Sequence, residues 1–171
     1  KTSNIWPVAN VEKETWYFTN EKSNSATSIN DARLSKQQPA LQGVDQYNYD
    51  PKTPIITIGG KNLFGELGLG PLDQRPAEEH SLTYTSEPLT APLEITGKVT
   101  ATLYVSSDAV DTDFTMKLTD VSPDGTSYLL NEGALRMRFR EGLEKEIFME
   151  EGNVYEIEIN LQDISHVFKE G

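Results

Sequence analysis

Apolar and polar positions alternate most regularly across residues 82–139, where a period of two recurs strand after strand. Val99, Ala101, Leu103 and Val105 share one face, and Thr100, Thr102 and Tyr104 take the other, as a half-buried strand requires. Phe114, Met116 and Leu118 repeat the pattern. The polar run 106–113 between them reads as a connection, because its Ser, Thr and Asp side chains bond readily to their own backbone. At Ser122-Pro123-Asp124-Gly125 proline presets a turn and glycine accepts a positive φ, so the chain is expected to reverse into a strand at 127–130. Leu135, Met137 and Phe139 then alternate with Arg136, Arg138 and Arg140, which predicts one strand carrying three guanidinium groups on one face. Tyr155, Ile157, Ile159 and Leu161 alternate with Glu156, Glu158 and Asn160 in a last half-buried strand.

The first part of the chain is less regular. Thr15-Trp16-Tyr17-Phe18 predicts a first short strand, and residues 20–42, dominated by Ser, Asn, Lys and Gln, read as a long surface excursion. Residues 47–54 show no period, whereas Ile55-Ile56-Thr57-Ile58 predicts a short apolar strand closed by Gly59-Gly60. The glycines here, with Gly65, Gly68 and Gly70, match neither a Walker loop nor a dinucleotide fingerprint, so a structured loop near a partner surface is the expectation. The division expected is one domain over 1–171, with 1–45 as irregular lead-in and excursion and 46–171 as the core sandwich.

Length and charge narrow the classes. With 171 residues, 36% of them hydrophobic, the chain can bury one good core. A formal charge of -12 argues against a nucleic-acid partner, which needs a surplus of Lys and Arg, and against an anionic membrane surface. No apolar run reaches the roughly 18 residues of a membrane span. Cysteine is absent, which removes disulfides and thiolate chemistry but does not separate cytoplasm from an exported location.

Candidate chemistry is sparse. No Gly-x-Ser-x-Gly elbow occurs, and the two histidines, His80 in a polar approach to a strand and His166 after one, have no elbow serine nearby, so no catalytic residue and no cofactor site is expected. Asp108, Asp111 and Asp113 are weak metal candidates, since oxygen-rich loops bind calcium, but they lack the EF-hand spacing and its closing glutamate; turn capping is the stronger reading. Arg136, Arg138 and Arg140 are the interface candidates, meeting acidic groups of a partner or, equally, carboxylates such as Glu156 and Glu158 on a neighbouring strand.

Several short strings occur in a characteristic order: Tyr49-Asp50-Pro51, Gly59-Gly60, Gly70-Pro71-Leu72-Asp73-Gln74-Arg75, Tyr84-Thr85-Ser86-Glu87-Pro88-Leu89, Val105-Ser106-Ser107-Asp108, Asp111-Thr112-Asp113-Phe114, Pro123-Asp124-Gly125 and Leu135-Arg136. In these, and over most of its length from about Trp6 onward, the chain resembles the C-terminal domain of X-prolyl dipeptidyl-peptidases. The wider family includes cocaine-esterase-like and α-amino-acid ester hydrolases. The resemblance implies an all-β, galactose-binding-type jelly-roll β-sandwich. It further implies that the catalytic serine, aspartate and histidine belong to an upstream α/β-hydrolase domain outside this sequence. The family's sandwich continues past a segment like 167–171, so closing strands are expected beyond Gly171; without them the strand over 154–161 would border an open edge that invites self-association.

Two functions from different classes are therefore expected to compete. One is an accessory domain that packs on the catalytic domain of a serine hydrolase and shapes substrate access or an oligomer interface. The other, resting on fold analogy, is a carbohydrate-binding module with Trp6, Trp16 and Tyr17 as the sugar platform.

Overall fold

The computed structural model describes residues 4–6, 8–41, 43–61 and 68–171. Strands make up almost all of its regular structure: β1 (Tyr17–Lys22), β2 (Asn30–Ser35), β3 (Leu82–Thr85), β4 (Leu93–Val105), β5 (Asp113–Val121), β6 (Ser127–Arg136) and β7 (Tyr155–Phe168). A four-residue helix, α1 (Arg75–Glu78), and a 3-10 turn at Met137–Phe139 are the exceptions. The fold is an all-β sandwich. The contacts divide into two compact units, one of Lys1–Ala9, Ile95–Leu118 and Leu130–His166, the other of Asn10–Glu94, Thr119–Leu129 and Val167–Gly171.

The first unit holds the sandwich core. β4 pairs with β7 and β5 with β6. Buried Met137, Met149, Ile157, Ile159 and Leu161 meet Val99, Ala101, Leu103 and Val105 from β4, and Phe114, Met116 and Leu118 from β5. These are the faces expected from the period of two, and they bury because alternation puts every second side chain on the sheet surface that a second sheet covers. The turn at 122–125 forms as expected: Gly125 has φ +81 and its N–H donates to Ser122 O at 2.8 Å.

β7 breaks its own period. Ile157, Ile159 and Leu161 are buried, Gln162 and Asp163 are exposed, and inward positions resume at Ile164 and His166. Gln162 sits at φ +72 and donates its N–H to Asn160 Oδ1 at 2.8 Å, so one extra residue shifts the strand's phase, as a β-bulge does. Opposite it is Gly133 on β6, where a Cβ would lie 2.3 Å from Asn160 O.

The second unit holds a three-stranded sheet in the order β1-β2-β3. β1 runs antiparallel to β2 with Phe18 opposite Leu34, and β2 runs parallel to β3 with Ala32 opposite Tyr84. β2 corrects the expectation of a surface excursion over 20–42. Its residues are polar, yet Ala32 is fully buried, and the small side chain on the middle strand leaves room for the rings of Phe18 and Tyr84 to meet at 4.5 Å. The strand expected at 55–58 is also corrected: these residues lie outside any strand, with Ile55 and Ile56 about half exposed. The ladder contact forms one step later, where Gly60 and Gly70 exchange N–H···O bonds of 2.7 and 3.1 Å. Gly65 lies outside the described residues.

Candidate functional site

The three arginines singled out as interface candidates do not share a strand face. β6 ends at Arg136, and the chain tightens into the 3-10 turn because three bonds capture it there. Met137 N–H donates to Thr112 O at 2.9 Å, Arg138 N–H to Asp111 Oδ1 at 3.0 Å, and Arg140 N–H to Met137 O at 3.2 Å. The turn drives Met137 into the core, where it is fully buried.

Each guanidinium then finds its own partner. Arg136 forms a two-pronged pair with Asp113, Nε to Oδ1 at 2.8 Å and Nη2 to Oδ2 at 2.9 Å. These bonds hold the Asp113 carboxyl below the usual carboxylate range and raise Arg136 above its ordinary value. Arg138 lies 3.6 Å from Asp111 and 3.5 Å from Glu146. Arg140 donates to the carbonyls of Met137 and Ile147 and rests 4.6 Å above the ring of Tyr155, whose hydroxyl accepts the N–H of Glu150. The expected partners Glu156 and Glu158 are replaced by Asp113, Asp111 and Glu146. Glu158 instead faces Lys98 at 3.5 Å, and Glu156 bonds the Tyr104 hydroxyl.

The same pairs account for the acidic loop. Asp111 and Asp113 are engaged by guanidinium groups, and Asp108 is exposed. Among the described residues no group of three or more His, Asp or Glu side chains is disposed to hold a metal ion. His80 is exposed just after α1, and His166 sits half-buried on β7. Trp16 does not present an open platform, since Lys36 Nζ lies 5.0 Å above its ring; Trp6 is about half exposed, and Tyr17 opens β1 half-buried.

A second arrangement, in the other unit, was not anticipated from the sequence. Residues 43–58 form no strand of their own and are tied to the three-stranded sheet by Asp45, which accepts hydrogen bonds from Asn30 Nδ2 at 2.6 Å and from the Tyr84 hydroxyl. Burial and that bond to Asp45 raise the Tyr84 phenol well above its ordinary value. Asp50 caps a turn, accepting the N–H of Lys52 on its side chain and that of Thr53 on its carbonyl. The far end is held where buried Gln74 donates from Nε2 to Ile58 O at 2.8 Å. The sequence signal was available in retrospect: Val44, Tyr47 and Tyr49 interrupt a polar stretch with no period to bury them.

Comparison with known proteins places this geometry. The chain is 41% identical over 168 residues to the cocaine esterase of Rhodococcus sp. (strain MB1 Bresler), a match covering 97% of this chain and 29% of the esterase. A putative serine esterase of Mycobacterium bovis is 44% identical over 64 residues, 37% of this chain and 10% of that protein. Among solved structures, an aminopeptidase from a marine sediment archaeon superposes with a TM-score of 0.71 at 25% identity, over 92% of this chain and 28% of that one. An α-amino acid ester hydrolase superposes with a TM-score of 0.75 at 23% identity, over 92% and 27%. The chain thus spans less than a third of the length of these proteins. The family model for the X-Pro dipeptidyl-peptidase C-terminal non-catalytic domain matches residues 1–171, and the chain belongs to that family.

Proposed function

We propose that this chain is the accessory β-sandwich of a serine hydrolase, packing on the catalytic part of the same polypeptide and shaping substrate access or an oligomer interface. The observation that carries this reading is the match itself: nearly all of this chain aligns with a little under a third of an esterase, within a family described as non-catalytic. The bond cleaved by the whole protein is a peptide or an ester, and the identity to a cocaine esterase favours the ester. Within this reading Arg136, forked onto Asp113 but with 49% of its side chain exposed, is the most accessible of the three candidate arginines; Arg138 and Arg140 are at 29% and 10%.

The test is enzymatic. The 171-residue chain is expected to turn over neither an Ala-Pro chromogenic peptide nor a p-nitrophenyl ester, while the polypeptide that includes the preceding region hydrolyses one of them. Turnover by the chain alone, abolished by changing one of its serines, overturns the accessory role.

A further inference from the structure

We propose that the segment 43–58 is the face on which the catalytic part of the same polypeptide docks; this rests on the accessory reading above and assigns that contact to a surface. Single exposed apolar side chains are ordinary on a protein. Here, however, Val44 is 95% exposed, Tyr49 62%, Ile56 51%, and Tyr47 and Ile55 46% each, all within sixteen residues of one segment. That density of exposed apolar side chains marks an interaction site.

The composition points to a protein partner. Tyrosine and aliphatic residues supply its exposed apolar surface, and of its three charged side chains two are held in place, Asp45 by Asn30 and Tyr84 and Asp50 by its own turn. The segment is also presented in a fixed form, tied at Asp45, at the 50–53 turn and at Ile58 O, so little ordering cost remains for docking. Gly43 packs against Asn20 so closely that a Cβ would stand 3.1 Å from that side chain, which seats the start of the segment on β1.

The choice of occupant follows from length and charge. The cocaine esterase carries more than two thirds of its length outside the region this chain matches. A segment joined covalently docks at high effective concentration and needs no large affinity. A second copy is disfavoured, because two chains of formal charge -12 repel each other.

The experiment compares the 171-residue chain with the polypeptide that includes the catalytic part. Amide hydrogen exchange over 43–58 is expected to slow at least several-fold in the longer polypeptide, with residues 108–110 and 148 unchanged. In the longer polypeptide, Val44→Glu with Ile56→Glu is expected to split a single calorimetric transition into two and lower the melting temperature by several degrees, whereas Val110→Glu with Phe148→Glu is not. In the 171-residue chain the first pair should leave the melting temperature unchanged, since both side chains already face solvent. If it does not, the exchange comparison on unmodified proteins still decides. Slowed exchange and uncoupling at 110 and 148 instead of 43–58 overturn the assignment of the face and leave the accessory role standing. Independent transitions in the unmodified longer polypeptide overturn both. Protection of 43–58 that depends on concentration in the 171-residue chain overturns the choice of occupant in favour of a second copy.

Discussion

Arg136 and Asp113 face each other as a fork, two parallel hydrogen bonds of 2.8 and 2.9 Å joining the last residue of β6 to the first of β5. Charge-assisted bidentate pairs of this kind carry geometric specificity beyond their energy, since both planar groups must be coplanar and in register. The pair pins the two strand ends together just where the chain leaves the sheet for the 3-10 turn.

Its titration has a definite sign. The Asp113 carboxyl is held low, first by the hydrogen bonds from Arg136, so it adds stability at pH values above its unfolded value of 3.8. That contribution disappears as pH falls through the lower, folded value. Both side chains are close to half exposed, so the contribution is modest and screened by salt. Asp113→Asn is expected to flatten the acid limb of a melting-temperature profile taken from neutral pH to about pH 2. An unchanged limb would show that other carboxylates set it.

Gly133→Ala tests the close approach opposite the bulge. The added methyl would lie 2.3 Å from Asn160 O and 2.9 Å from Asn160 C, both backbone atoms that cannot swing aside. Overpacking of this kind costs roughly 1–3 kcal/mol. Chemical denaturation of the variant is expected to show a loss in that range, near its upper end. A neutral substitution would mean that the two strands part without penalty.

Gln162 occupies the left-handed region at φ +72. Any L side chain, glutamine included, is strained there by about 1–2 kcal/mol, whereas glycine is not. Gln162→Gly is therefore expected to be tolerated or stabilising and Gln162→Val to be less stable than Gln162→Gly by at least that amount, both read as shifts in denaturation midpoint at constant slope. Equal losses for the two variants would point to the side chain and away from the backbone.

Tyr84→Phe removes the hydroxyl that ties Asp45 to the sheet. Hydrogen exchange at residues 44–48 is expected to accelerate with little change in global melting, because the ring and its contact with Phe18 remain. The raised phenol also predicts a pH effect. A group that holds its proton more tightly when folded stabilises fully below its unfolded value of 10.0, and that stability is lost as pH rises beyond it. The alkaline decline is expected to weaken in Tyr84→Phe.

How legible the fold was depended on what each residue spends its side chain on. β4 and β5 were readable because Val99 to Val105 and Phe114 to Leu118 do nothing except pack, so their period shows directly in the letters. β2 was not, because Asn30, Asp31 and Arg33 look like loop residues but are satisfied by Asp45, Ser23 and Glu87, and only Ala32 is driven inward. Ile55 and Ile56 misled in the opposite sense, being apolar and yet exposed. The arginine trio looked like a strand since alternation was intact through Phe139; what ended it was Asp111, far along the chain, taking the N–H of Arg138. Local pattern carries no information about such a capture. The resemblance to the family rested on short strings in order, and these survive where periodicity fails.

The phase shift at Gln162 makes β7 sensitive to where its length changes. A substitution at an exposed position changes one side chain. Loss of a single codon at 162 or 163 would remove the extra residue and restore unbroken alternation from Tyr155 onward with Ile164 and His166 still inward, whereas loss of one codon between 156 and 160 would exchange the faces on one side of the gap. Drift among related sequences is therefore expected to alter letters freely at the exposed positions of β7, and a one-residue gap inside this strand should fall at 162–163 and nowhere else in it.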